Sequence, residues 1–269
     1  MKLFNVGRGL MVAPVALVLL GGSAPLRAQP MAAHGATVPA SDVTSAASGY
    51  RVLVGERATY DVEYKGRGVG NGSLEVLSSE ITDGHPTYHA ALRLDAGFLF
   101  AKVSEQFDTW FDPYRFVSRR FSQNQRELTH TRTKNYEIAP ERGVFRETYS
   151  GDVDSLTTTE PLDDISFLYY VRTLPLRVGE VDTIPRYFKS GREVIIRVLR
   201  KDTVTVPAGT FSTIVVQPTI TNANGLFSQG GHAEVYLSDD AARTVVMLKS
   251  HVPVMGSVAL TLREASTSK

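Results

Sequence analysis

Apolar and polar residues alternate along much of the chain from about residue 50 onward, which is the period-two pattern of half-buried β-strands. Turn-forming sequences such as Asp83-Gly84, Pro207-Ala208-Gly209 and Asn224-Gly225 separate the alternating runs. The pattern predicts a mainly all-β protein, an antiparallel curved sheet closing into a barrel or half-barrel. The apolar positions of four such runs are Tyr60, Val62 and Tyr64; Leu74 and Val76; Tyr88, Ala90, Leu92 and Leu94; and Val258, Leu260 and Leu262.

One segment breaks this alternation and predicts a short helix near 163–173. Ile165, Leu168, Tyr169 and Arg172 recur at the spacing of one helical face. The acidic pair Asp163-Asp164 precedes them, as suits a helix N-terminus, and Pro175 follows. We expect this helix to pack on the sheet or to plug it.

The N-terminal residues have the three parts of a secretory signal. Lys2 and Arg8 precede an apolar run, and Leu26-Arg27-Ala28 forms a plausible cleavage site. We expect residues 1–28 to be a cleaved signal peptide, because an apolar run containing Pro14 is shorter than the roughly 20 residues of a membrane-spanning helix.

Composition divides the rest of the chain into segments and indicates the compartment in which the protein works. Residues 29–48 are rich in Ala, Ser, Thr, Pro and Gly without periodicity, which predicts a flexible tether. Residues 49–265 then form a single β-rich domain, and 266–269 a disordered tail. The chain has no cysteine, so it has no disulfide and no cysteine to carry a lipid. We expect a periplasmic or secreted protein with no membrane span after cleavage.

The charge balance excludes a general nucleic-acid binder. Three of the 29 basic residues (Lys2, Arg8 and Arg27) lie within 1–28, which leaves 26 basic residues against 28 acidic ones. A general nucleic-acid binder carries a strong positive charge instead. We therefore expect no nucleic-acid partner.

Candidate catalytic and metal-binding motifs favour structural interpretations. His85 and His89 would converge on a metal only on a helix, whereas Pro86 and the alternation after it predict a strand. The glycine-rich stretch 66–72 precedes a strand rather than a helix, so it predicts a tight hairpin with a bulge, not a phosphate-binding loop. No nucleophile elbow or metalloprotease motif is present. We expect no catalytic residues, no metal and no cofactor.

Two clusters are candidates for ligand binding. The first is a basic stretch with interleaved aromatic residues between 111 and 134, in which Arg115, Arg119 and Arg120 lead a group completed by Arg126, Arg132 and Lys134. It could gather anionic headgroups or acidic polysaccharide, or it could be the solvated outer face of a strand. The second contains Phe98 and Phe100 beside Gly97, at a barrel rim or in the core.

Several stretches in order resemble the bacterial envelope family known as domain of unknown function 3108. The resemblance implies an exported, mostly antiparallel β domain, barrel-like in the manner of lipocalin or lipoprotein-carrier folds, and it implies no activity. Arg172 could pair with an acidic residue nearby. The stretches that carry the resemblance are Val54-Gly55-Glu56, Gly68-Val69-Gly70, 164–172, 176–180, 206–211 and 236–243.

Three functional hypotheses remain open. The first is a non-enzymatic periplasmic binding or carrier domain for an apolar or amphipathic ligand, such as a lipid or glycolipid. The second is a structural or assembly factor that binds another envelope protein or a glycan through an edge strand or the 111–134 face. The third is a hydrolase of envelope polymers, which needs at least two side chains of Asp, Glu, His or Ser converging in a cleft. A lined hollow in the barrel favours the first hypothesis, and a packed interior favours the second.

Overall fold

The computed structural model describes residues 49–98, 101–127, 130–189, 193–220, 232–252 and 256–267. These ranges contain fourteen strands and one α-helix, α1 (Asp164–Tyr170), with short 3-10 helices at Pro140–Arg142 and Val171–Thr173. The strands are β1 (Glu56–Tyr64), β2 (Arg67–Thr82), β3 (His85–Phe98), β4 (Ala101–Phe111), β5 (Ser118–Glu127), β6 (His130–Ala139), β7 (Val144–Glu147), β8 (Val153–Ser155), β9 (Val181–Ile184), β10 (Val194–Val206), β11 (Gly209–Ile220), β12 (His232–Ser238), β13 (Val245–Val252) and β14 (Gly256–Thr267).

All fourteen strands form one antiparallel sheet, which confirms the predicted fold class. Its order is β8-β7-β6-β5-β4-β3-β2-β1-β14-β13-β12-β11-β10-β9. Strands that are neighbours in sequence therefore pair, except for β8 and β9, and the first strand, β1, also pairs with the last, β14. Within the described ranges no ladder joins the edge strands β8 and β9, and the sheet is a half-barrel rather than a closed barrel. The segments after the two edge strands meet at a single parallel bridge between Leu162 and Tyr187.

The period-two positions of the sequence lie on the concave face of this sheet. Tyr60, Val62, Leu92 and Leu262 are among the buried members of the core, as the alternation predicts. Register shifts interrupt the pairing in several strands, including one after Thr59 and another after Val62 in β1. Because such bulges increase local twist, they help a long sheet to curve around its own core.

The glycine-rich stretch is a bulged hairpin, as predicted, but its turn is shorter than the run of glycines. Only Lys65 and Gly66 form the turn, while Gly68, Gly70 and Gly72 lie in β2. A Cβ atom at Gly70 would stand 1.9 Å from the Asp95 carbonyl oxygen. A Cβ at Gly72 would stand 2.7 Å from Cδ2 of Leu94. These glycines therefore permit the close approach of β2 and β3.

The helix begins where the sequence predicts. Asp163 is its N-cap: its carboxylate accepts hydrogen bonds from the backbone amides of Ile165 and Ser166, and the Ser166 hydroxyl accepts one from the Asp163 amide. Thr109 of β4 donates a further hydrogen bond of 2.5 Å to Asp163 Oδ2. This capping box fixes the helix to the sheet as well as starting it.

Of the two arrangements expected for the helix, packing on the sheet or plugging it, the structure has the plug. Every residue from Ile165 to Thr173 is buried, because the half-barrel wraps around the helix. Tyr169 stacks on Phe111 of β4, and Ser166 bonds to Ser118 of β5. The helix therefore plugs the barrel at the end where β4 leads into β5.

The last strand ends later than the domain boundary predicted from the sequence. Strand β14 continues to Thr267, which pairs with Glu56, so the ordered domain extends two residues past the predicted end at 265. Ser266, predicted to be tail, pairs with Arg57 for the same reason. The predicted signal peptide (1–28) and tether (29–48) lie outside the described residues.

Candidate functional site

A pocket lies on the concave face near the end of the half-barrel opposite the helix. It is partly open to solvent and has a volume of about 70 Å³, room for roughly five water molecules. Ten of its twelve lining residues are apolar. They come from β1, β2, β3, β4, β13 and β14: Val62, Tyr64, Val69, Leu92, Leu94, Ala96, Val103, Leu248, Val258 and Leu260.

The pocket follows from the strand pattern. Val62 and Tyr64 near the end of β1 lie on the same face as Val258 and Leu260 of β14, because Val62 pairs with Leu260 and Tyr64 with Val258. The bulge after Val62 turns the extra residue Val69 of β2 toward the same space. The large aromatic residues that fill the helix end of the barrel are absent from this lining, and a gap remains.

Glu105 of β4 and Ser250 of β13 are the polar residues of the lining. Glu105 is only 2% exposed, although it lies next to Val103 and opposite Leu94. Its Oε1 atom is 3.5 Å from the Gln125 amide nitrogen of β5. A carboxyl group at the wall of an apolar pocket is costly to bury unless it is paired, so Glu105 is a candidate for contact with a ligand's polar group. The sequence carries the signal, since Val103, Glu105 and Phe107 alternate with polar residues, but Glu105 was not among the predicted candidates.

The other end of the barrel is closed by a buried ion pair. Arg172, after the helix, donates to Glu56 of β1 over 2.5 Å and to the Ala242 carbonyl over 3.1 Å. Its guanidinium lies 3.8 Å above the Tyr50 ring, and the Tyr50 hydroxyl donates to Glu56. The expected acidic partner of Arg172 is therefore Glu56, and its role is to hold the helix to the sheet.

The three predicted arginines contact three different partners within the fold. Arg115 lies in the turn between β4 and β5, 63% exposed, and pairs with Glu160 at 2.5 Å. Arg119 is buried and pairs with Glu141 at 2.7 Å. Arg120 is exposed on the outer face and stacks on Trp110 at 5.1 Å. Each arginine has a partner within the fold, and ligand binding by these residues stays a prediction.

The predicted aromatic pair lies at the boundary of the described residues. Phe98 ends β3 and its backbone pairs with Ala101 of β4, so it belongs to the pocket end of the barrel. Phe100 lies outside the described residues. Whether this pair contacts a ligand stays a prediction.

His89 occupies a polar cluster on the outer face. Its Nε2 is 2.9 Å from Asp108 and its Nδ1 is 3.4 Å from Glu80, while its ring stacks on Trp110 at 4.2 Å. The Ser78 hydroxyl, which donates to Glu80, lowers the pKa of that carboxyl, with further donation from Trp110. Because both imidazole nitrogens already face carboxylates, neither faces a nucleophile. The cluster is suited to joining β2, β3 and β4 rather than to general base catalysis.

Nowhere in the described ranges do three or more histidine, aspartate or glutamate side chains converge as a metal site requires. None of the helices described above has the length and apolar character needed to cross a membrane.

The sequence from 59 to 263 matches the family model of the protein of unknown function DUF3108. The chain belongs to the DUF3108 family. This match confirms the resemblance seen in the sequence and covers both the pocket and the helix. No curated protein matches the chain.

Several solved structures are similar to this DUF3108 protein at low sequence identity. A β-barrel-like protein of the DUF1849 family from Brucella abortus has a TM-score of 0.52 at 11% identity, over 81% of this chain and 100% of its own. A candidate lipoprotein from Parabacteroides distasonis has a TM-score of 0.35 at 11% identity, over 82% and 99%. A candidate exported protein with a YmcC-like fold from Bacteroides fragilis has a TM-score of 0.31 at 11% identity, over 81% and 98%. The first supports the barrel-like architecture alone.

Proposed function

We propose that this DUF3108 protein is an exported binding or carrier domain of a bacterial-type envelope, and that it holds an apolar or amphipathic ligand in the pocket of its half-barrel. The observation that carries the proposal is the pocket itself, with ten apolar lining residues at the barrel end that the helix leaves free. The signal-peptide pattern of residues 1–28 supports export.

The energetics favour a slim apolar group. Each methylene group moved from water into such a lining contributes about 0.8 kcal/mol. A pocket of about 70 Å³ suits the end of an alkyl chain better than a fused ring system. The remainder of such a ligand would lie along the open end of the barrel.

The pocket also favours this function over the two alternatives. A packed interior would favour an assembly factor, whereas here a gap lined by apolar residues lies on the inner face. A hydrolase needs its reacting groups to converge in a cleft, whereas the cluster of His89, Asp108 and Glu80 lies on the outer face and is not part of the pocket lining.

Ligand binding can be tested with protein purified without detergent. We expect native mass spectrometry to show an added mass that is lost on denaturation, and delipidated protein to bind a fluorescent hydrophobic dye. Val258→Phe places a larger ring in the pocket lining and should weaken dye binding at least tenfold. Val258 is half-buried at the rim, so the fold should tolerate this change.

The matched control is Ala259→Phe, one residue along β14 and therefore on the outer face. It should leave dye binding unchanged. A clean unliganded mass together with no saturable dye binding by wild-type protein would contradict the proposal. Equal losses of binding in the two variants would contradict the placement of the ligand in the pocket.

Export has its own test. Expressed with its full sequence in a Gram-negative host, the protein should be found in the periplasmic fraction with its N-terminus at Gln29. Recovery of the intact N-terminus from the mature protein would contradict cleavage.

A further inference from the structure

The concave face changes from apolar to polar between β4 and β6. Directly opposed residues of neighbouring strands point to the same face of a sheet. One such row crosses six strands and begins with apolar residues and glycine, then becomes polar: Tyr60, Gly72, Leu94, Glu105, Gln125 and Arg132. The apolar part of the row belongs to the pocket side, and the polar part adjoins it.

A second row places another cation beside the first. Phe107 is opposite Gln123, and Gln123 is opposite Lys134. Two residues further along β6 is Tyr136, which is buried in the aromatic core, so Lys134 shares its concave face. Arg132 and Lys134 are both half-buried. These are the last two cations of the basic stretch, and they lie on the inner face, whereas Arg120 and Arg126 are exposed on the outer one.

Lys189 adds a third positive charge to this region. Its ammonium group lies 4.9 Å from the centre of the Tyr136 ring and 5.3 Å from that of Phe188. Glu147, which is opposite Tyr136, accepts hydrogen bonds from the amides of its own turn, Tyr149 and Ser150. Arg132, Lys134 and Lys189 therefore place three cations near Tyr136 on the inner side of the sheet, with Glu147 as the acidic residue beside them.

The distances suit one amphipathic molecule. Strands of a sheet are about 4.8 Å apart, so β6 lies about 10 Å from β4 along the sheet. The carboxylate of Glu105 stands at the boundary and opposes an anionic group above the apolar pocket. An anionic head is therefore favoured on the β6 side, where low-dielectric walls strengthen attraction to the cations.

We propose that the ligand is an anionic single-chain amphiphile. Its alkyl chain enters the apolar pocket, and its carboxylate or phosphate head lies against Arg132 and Lys134, with Lys189 nearby. This inference rests on the proposed function, and it specifies the chemical class of the ligand.

The test compares probes that share a twelve-carbon chain and differ in the head group. Binding of dodecanoate, dodecyl phosphate, dodecyl maltoside and dodecyltrimethylammonium is measured by displacement of the hydrophobic dye, below their critical micelle concentrations. At least one anion should bind tenfold more tightly than the neutral and cationic probes. The ratio of the two anions identifies the carboxylate or phosphate head. Raising the salt concentration should reduce the preference for the anion.

Two double variants separate the inner cations from the outer ones. Arg132→Gln with Lys134→Gln should reduce the preference for the anion to less than threefold and leave dodecyl maltoside binding unchanged. Arg120→Gln with Arg126→Gln removes the same charge from the outer face and should retain the preference. Circular dichroism and thermal unfolding verify that both proteins are folded.

The outcomes distinguish the two proposals. Equal binding of anionic, neutral and cationic probes would overturn the assignment of an anionic ligand while leaving the proposed function intact. Equal loss of preference in the inner and outer variants would overturn it too. Failure of every probe and of the dye to bind would overturn both proposals.

Discussion

Arg172 and Glu56 form an ion pair of 2.5 Å although they are 116 positions apart in the sequence. The pair joins the end of the helical segment to the first residue of the strand β1, and it lies beneath the ring of Tyr50. Both partners belong to stretches that carry the family resemblance. The arrangement explains why the helix stays within the half-barrel rather than on its surface.

Breaking this pair should destabilise the fold strongly. Glu56→Gln leaves the buried Arg172 guanidinium without a counter-charge, and removal of one partner of a buried pair costs about 3–5 kcal/mol. We expect a loss near the lower end of that range, since Glu56 is partly exposed. Urea denaturation followed by circular dichroism measures the free energy of unfolding.

The same substitution at an exposed pair is the control. Glu180 pairs with Arg177 at 3.2 Å on the surface, with both side chains exposed. Glu180→Gln should cost less than about 1 kcal/mol. Similar losses in the two variants would show that the buried pair has no special role.

Glycine at position 70 should be required for the pairing of β2 with β3. Gly70→Ala places a Cβ atom 1.9 Å from the Asp95 carbonyl oxygen, a contact that only movement of the backbone can relieve. We expect a loss of about 3 kcal/mol or more in the free energy of unfolding. Gly68→Ala, two residues earlier in the same strand, meets no atom within 4 Å and should change stability by less than about 1 kcal/mol. If Gly70→Ala has the same free energy of unfolding as the wild-type protein, the described register of β2 and β3 is contradicted.

Removal of the helix cap should weaken the plug. Asp163→Ala deprives two backbone amides and the Thr109 hydroxyl of their acceptor. The cap contributes about 0.5–2 kcal/mol, and a buried hydroxyl without a partner costs about 1–3 kcal/mol. We expect a combined loss of roughly 2–4 kcal/mol, measured by thermal and urea unfolding. Asp163→Asn keeps an oxygen acceptor for the amides and should recover at least half of that loss; an equal loss in both variants would contradict the capping role.

The free energy of unfolding should decline in strongly alkaline solution, because several tyrosines have a higher pKa in the folded state than in the unfolded chain. Burial, and then the hydrogen bond that its hydroxyl donates to Glu234, raise the pKa of Tyr236 to about 12. Burial also raises the pKa of Tyr60 and Tyr169 above the usual value. Tyrosines of the unfolded chain titrate near pH 10.

The direction of this pH dependence follows from proton binding. The folded state holds these protons more tightly, so their contribution to stability is complete below pH 10 and is lost as the pH rises through the folded-state pKa. Each such tyrosine lowers the free energy of unfolding by up to about 1.4 kcal/mol per pH unit between pH 10 and its own pKa. Unfolding at a series of pH values, with tyrosinate absorbance, measures the effect.

Tyr236→Phe should make this alkaline decline shallower. The control Tyr114→Phe removes a hydroxyl from a side chain that is 83% exposed and should leave the profile unchanged. A Tyr236→Phe profile that matches the wild-type one would contradict the assignment.

Local patterns in the sequence determined the class of the fold. Alternation placed Tyr60, Val62 and Leu92 on one face of antiparallel strands, because side chains of a strand point to its two faces in turn. Acidic residues before an apolar run indicated the start of the helix at Asp163, because the capping interaction is local. The ordered motifs indicated the DUF3108 family.

Only the tertiary structure decided how these elements pack against one another. The register between β4, β5 and β6 placed Glu105 opposite Gln125, and Gln125 opposite Arg132, and no local pattern specifies which residues of two strands face each other. The same register divided the basic stretch between the outer and inner faces. The curvature of the sheet buried every side of the helix and left the gap among Val62, Leu94 and Val258. Burial and cavities arise from packing between strands distant in sequence, so the sequence predicts the strands but not the pocket they enclose.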